Sequence, residues 1–139
     1  MSKSSYFFGQ SVFGQLISLI DSRKITSIAK EHRSDHYVKK FDTSDHLISM
    51  LFASFAHCTS LREVAASMLG LKGKMKHFQL KHIPYRSTLS DANKRRSQEV
   101  FQSIYYSLLK EYHPIISDSR RIYAWENRLE IIDSSTISL

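Results

Sequence analysis

Apolar residues recur along most of this chain at the spacing of a helix face. Val12, Phe13, Leu16, Ile17 and Ile20 fall on one side, which predicts a helix over about residues 10–20. Asp21 and Ser22 can cap a second, with Ile25, Ile28 and Ala29 inward. Residues 33–42, RSDHYVKKFD, carry no period and read as a connector. Thr43-Ser44-Asp45 supplies short side-chain acceptors for the orphan amides of a helix start. Leu47, Ile48, Leu51, Phe52 and Phe55 then form a bulky stripe, the expected centre of the core. Ser60 and Glu63 have the spacing of a capping box, Leu61, Val64, Ala65, Met68 and Leu69 continue inward, and Gly70 is a stop. These two helices, joined by His57-Cys58-Thr59, are expected to pack as neighbours.

Residues 71–86 are mixed, with Gly73 and Pro84 as breakers. Ser87 or Thr88 starts another helix, STLSDANKRR. Val100, Phe101, Ile104, Tyr105, Leu108, Leu109 and Tyr112 carry an amphipathic pattern to Pro114, either continuous with it or kinked near Arg96. Residues 115–127 read as a polar connector. The pattern then changes: residues 128–132, RLEII, are short and β-branched, Asp133-Ser134-Ser135 breaks them, and residues 136–139 begin a return strand. Two short strands make no stable sheet alone. The expected fold is therefore mainly α: a bundle-like helical domain over residues 1–114, a linker over 115–127, and over 128–139 the opening of a sheet domain that the chain does not contain.

Composition agrees with a single globular domain of 139 residues, 42% apolar and 24% charged. Four glycines and two prolines are too few for a fold that turns every ten residues or so. With Cys58 the one cysteine, an intramolecular disulfide and a Cys-rich zinc site are excluded. The longest apolar stretch, residues 47–56, is short of the roughly 20 residues that cross a bilayer, and no small-residue cleavage site follows the apolar residues 6–20. The expectation is a soluble cytoplasmic protein with no membrane partner.

Charge changes the picture more than composition does. Between Lys72 and Arg96 lie eight basic residues, Lys72, Lys74, Lys76, Lys81, Arg86, Lys94, Arg95 and Arg96, against Asp91 alone. That window holds the chain's entire net charge of +7; the remaining basic and acidic residues cancel. One basic segment on a neutral background is the footprint of phosphate contact, and its binding should weaken steeply with salt. Ser87, Thr88, Ser90 and Asn93 stand at or near the start of the same helix, where free amides favour phosphates. Asn pairs with adenine and Arg with guanine. With the Ser60–Leu69 helix this suggests a loose helix-turn-helix, although the connection is longer than usual. A solvated basic face is the alternative.

Other residues carry less. His77 and His82 lie in the basic segment without a nearby thiol or carboxylate, and read as exposed or phosphate-facing rather than metal-binding. Cys58 reads as a small half-buried side chain. Tyr105, Tyr106 and Tyr112 could stack on bases, but Tyr105 and Tyr112 lie on the apolar stripe and read as core. Trp125 either packs on the missing domain or lies exposed. Asp133, after the strand-like LEII, reads as a turn residue or as a metal ligand at a strand end. One carboxylate does not build a two-metal site.

The segments YFFGQSVFGQLI, CTSLREVAASMLG, RSTLSDANKRR, VFQSIYYSLLK and IIDSSTISL, in this order, resemble the amino-terminal portion of bacterial DDE transposases of the insertion-sequence-four family. The resemblance spans nearly the whole chain. It implies a helical DNA-binding domain preceding a ribonuclease-H-like catalytic domain, which binds divalent metal with two aspartates and a glutamate. By resemblance Asp133 is the first of these, a magnesium ligand in the complete enzyme. The second aspartate and the glutamate do not follow, so a truncated, catalytically incomplete fragment that needs no cofactor is expected. Its expected partner is double-stranded DNA at transposon ends, contacted by Lys72, Lys74, Lys76, Arg86, Ser87, Thr88, Ser90, Asn93, Lys94, Arg95 and Arg96. The alternative is a homo-oligomerising interaction module that modulates full-length transposase.

Overall fold

The computed structural model describes residues 11–118, and all of their regular structure is helical. Its elements are α1 (Val12–Ser18), α2 (Ser22–Glu31), α3 (Thr43–Phe55), α4 (Leu61–Leu69), a 3₁₀ segment (Lys72–Phe78), α5 (Arg86–Arg95) and α6 (Gln98–Asp118). The molecule is mainly α, as the periodicity predicts. The strand-like residues 128–139 with Asp133, Trp125 and most of the expected linker lie outside the described residues.

Local chemistry sets the helix starts. Ser11 accepts the Gly14 amide at α1, Asp21 that of Arg23 at α2, and Ser60 that of Glu63 at α4. The Glu63 carboxylate closes the box one residue earlier than expected, on the Thr59 amide at 2.7 Å. α3 is capped by Asp42 rather than by the Thr43-Ser44-Asp45 run. α5 begins at Arg86 without a side-chain cap, so Ser87 and Thr88 lie inside its first turn instead of starting it. α5 and α6 are separate helices, because Arg96 between them is extended. α6 runs through Pro114 to Asp118, beyond the expected end. Pro114 is exposed, and there water can serve the carbonyl one turn back.

Three segments end with a left-handed residue where glycine is usual. Arg33, His57 and Gln79 have φ of 52°, 54° and 54°. After α2, the Ser34 amide donates to Ala29 O and the Arg33 amide to Lys30 O; after α3, Cys58 donates to Ala53 O and His57 to Ser54 O. These are Schellman pairings built without glycine.

The main core joins α1, α3, α4, α5 and the 3₁₀ segment through Phe13, Ile17, Ile48, Val64, Met68, Phe78 and Leu89. Phe13 meets Phe52 edge to face at 5.5 Å. A smaller cluster of Ile25, Val100 and Ile104 seats α6 on α2. Each fully buried side chain of this size contributes about 1.5–3 kcal/mol of transfer free energy.

Two core expectations need correction. In α3 Ile48 is buried, but Leu51 and Phe55 reach the surface, and Thr43, Ser44, Asp45, His46 and Ser49 are buried instead. The start of α3 is wrapped by the 33–42 loop, whose Asp35 accepts the Thr43 amide, and by Lys81-His82, whose backbone amides need the Asp45 carboxylate. Tyr105 is 60% exposed rather than core, because the contact of α6 with α2 uses only the narrow line of Val100, Phe101, Ile104 and Leu108. Tyr112 is half-buried, its hydroxyl donating to Leu19 O.

Candidate nucleic-acid interface

The polar start of α3 is the frame on which the basic segment is mounted. Asp45, fully buried, accepts the Lys81 amide on Oδ1 at 2.9 Å and the His82 amide on Oδ2 at 3.1 Å. Burial raises its pKa above the usual carboxylate value, and the Lys81 amide opposes that shift. Beside it, His46 Nε2 meets Asn93 Oδ1 at 2.7 Å, tying α3 to α5. Burial lowers the His46 pKa, so the ring is held neutral.

The 33–42 loop is fastened to the end of α5 by Arg96. Its Nη2 donates to Asp35 Oδ1 at 3.1 Å and to Phe41 O at 2.5 Å. The same Asp35 oxygen accepts the amide and hydroxyl of Thr43, both at 2.8 Å. The loop thus lies along α5 and forms the far wall of a groove.

Two adjoining clefts make up that groove. One, of about 400 Å³, lies between Lys40, Lys72, Lys81, Pro84, Tyr85 and Thr88. The next, of about 230 Å³, lies between Tyr37, Lys39, Lys40, Thr88, Asp91 and Arg95. Lys40, Phe41 and Thr88 border both, so the two are neighbours on one face. Asp91 is the one carboxylate on their walls, and two exposed aromatics, Tyr85 (76%) and Tyr37 (87%), flank the basic side chains.

The expected contact residues divide on this surface. Lys72, Thr88 and Arg95 line the groove. Arg86, Ser87 and Lys94 are exposed on α5, and Ser90 is half-buried there. Lys74 lies apart, on an aromatic cleft with Phe13, Phe52, Phe55 and Phe78, and exposed Lys76 borders neither part of the groove. Arg96 is a correction: its side chain is 2% exposed, with Nη2 held by Asp35 and Phe41 O, so it does not reach the groove surface. Asn93 is exposed, but with Oδ1 engaged by His46 it is not free for two-point pairing with adenine. Lys81 lines the groove while ion-paired to Asp42. The pair raises the Lys81 pKa.

Sequence reading missed the loop. Tyr37, Lys39 and Lys40 sat in a stretch set aside for want of periodicity, yet its mixture of cations and aromatics was the available signal. Among the described residues no cluster of three His, Cys, Asp or Glu could hold a metal ion, and Asp133 lies outside them. No helix among these residues is long and apolar enough to cross a membrane.

Fold and groove together define a small helical domain with a basic cleft. The chain belongs to the family described as a domain of unknown function, DUF4372, whose model matches residues 8–81. The match takes in the 33–42 loop and the 3₁₀ segment and ends before α5. No curated protein and no solved structure matches the chain.

Proposed function

We propose that this chain is the DNA-binding amino-terminal part of a bacterial DDE transposase of the insertion-sequence-four type, acting in the cytoplasm on transposon ends. The observation that carries the reading is the groove: Lys39, Lys40, Lys72 and Arg95 line two adjoining clefts with a single carboxylate on their walls. Phosphates are drawn to such a surface by counterion release, and exposed Tyr37 and Tyr85 add flat faces for sugar or base contact. The family supports it too, being known at the amino termini of transposases. The reading assigns binding to these residues and leaves strand cleavage, with magnesium at Asp133, to a complete catalytic domain.

Gel-shift titration against the terminal inverted repeats tests it. Affinity should fall steeply with salt, and Lys40→Ala or Arg95→Ala should each lower the log–log salt slope by about 0.9. Salt-independent binding, or slopes unchanged in both variants, would contradict it.

A second reading rests on α6, where Tyr105, Tyr106, Leu109, Ile115 and Ile116 are exposed. Such a row suits association with another transposase chain. Sedimentation would then show oligomers that persist in high salt without DNA and dissociate in Leu109→Glu.

A further inference from the structure

We propose that the cleft between the end of α2 and the start of α6 is an oxyanion pocket that takes one phosphate group. Its volume is about 200 Å³, and its walls include His32, Arg33, His36, Arg95, Arg96 and Ser97. Three arginines and two histidines therefore line one small space, His32 with its Nε2 on Ser103 Oγ at 2.9 Å, and no carboxylate lines it.

Three features point to an anion there. First, Arg96 is held almost entirely out of water, yet only Nη2 is hydrogen-bonded; Nε and Nη1 are buried without a protein partner. Sealed in the wall, this guanidinium adds positive potential to that of the more accessible Arg33 and Arg95, whose guanidinium groups suit a phosphate oxygen. Second, Arg33 occupies the left-handed position of the α2 Schellman turn, where glycine is easier. The turn sets Arg33 on the wall of the cleft. Third, Ser97 adjoins the first turn of α6, a 21-residue helix whose dipole favours negative charge at that end.

The pocket adjoins the groove through Arg95, which borders both. A phosphodiester of bound duplex is one source of the phosphate, a choice that rests on the DNA-binding reading; free phosphate is the other. The site recognises the shared group, a tetrahedral oxyanion.

Calorimetric titration of the full chain with inorganic phosphate, at constant ionic strength set by chloride, tests the pocket. One saturable site is expected. Arg33→Gly, which suits the turn, and Arg95→Gln should each weaken it about tenfold or more through loss of a charge-assisted hydrogen bond. Lys76→Gln, exposed and off both the groove and this cleft, should leave it within about twofold. Absence of saturable binding, or affinity undiminished in both arginine variants, overturns the proposal. A duplex arm separates the sources. A duplex salt slope reduced by about one phosphate in Arg33→Gly, together with lost phosphate binding, places a phosphodiester there. Lost phosphate binding with an unchanged duplex slope upholds the pocket for free phosphate and overturns the phosphodiester source. Phosphate binding with no duplex affinity at all upholds the pocket while the DNA-binding reading fails.

Discussion

Imidazole Nε2 of His46 and amide Oδ1 of Asn93 meet at 2.7 Å across 47 residues of sequence. An amide oxygen only accepts, so His46 carries its proton on Nε2 and presents Nδ1, buried and without a protein partner, to the interior. The neutral ring is thereby part of the joint between α3 and the helix that borders the groove.

That joint makes stability pH-dependent in a defined sense. The folded His46 pKa lies below its ordinary value of 6.5 because of burial. The unfolded chain therefore binds the proton more readily, and the contribution is complete above 6.5 and is lost as pH falls toward the depressed value. Asp45 acts oppositely: its raised pKa favours folding as pH falls through that value. Urea denaturation of parent and His46→Gln at about pH 7.5 and 5.5 isolates the histidine, since Asp45 contributes alike to both. The parent should lose more stability on acidification; equal losses would refute the assignment.

Asp45 itself holds Lys81 and His82 in place by accepting both their backbone amides. Asp45→Ala leaves two donors without acceptors in the interior and should cost about 3 kcal/mol. Asp45→Asn retains one acceptor and should cost about half as much. Denaturant midpoints at unchanged m-value measure both.

Arg95 and Arg96 are neighbours with opposite duties. Arg96→Ala removes the partner of Asp35 and of Phe41 O and should destabilise by about 2–3 kcal/mol. Arg95→Ala, on the exposed wall of the groove, should change stability by no more than about 0.5 kcal/mol while weakening duplex binding. Thermal unfolding beside gel-shift titration reads both; a stable Arg96→Ala protein would break the structural assignment.

His57, exposed with φ 54°, ends the Schellman turn after α3. His57→Gly should stabilise the chain by about 0.5–1 kcal/mol, the relief of left-handed strain exceeding the added freedom of the unfolded backbone. A lower melting temperature would show that the imidazole makes a contact worth more than the strain.

Helix positions were readable because their causes are local. Asp21, Ser60 and the inward lines Ile25–Ala29 and Val64–Met68 act within a few residues of themselves, and the structure places them as the pattern predicts. The stripe in α3 misled because periodicity ranks side chains by bulk. Which face is buried depended on Lys81-His82, whose amides donate to Asp45, and on the 33–42 loop, whose Asp35 accepts from Thr43, while Ser49 turns inward to donate to Asp45 O of its own helix. Tyr105 and Leu109 misled for a related reason: an amphipathic stripe predicts a face, but the width of that face is set by the neighbour that covers it.

From the sequence alone came a helical chain with its positive charge gathered between Lys72 and Arg96, because helix periodicity, capping and charge are properties of neighbouring residues. Tertiary structure decided which cations act together. It turned Arg96 inward, paired Lys81 with Asp42, set Lys74 on another cleft, and brought Lys39 and Lys40 from a distant loop alongside Arg95. Coulomb interactions and desolvation depend on distance and burial through space, and only the folded chain sets either.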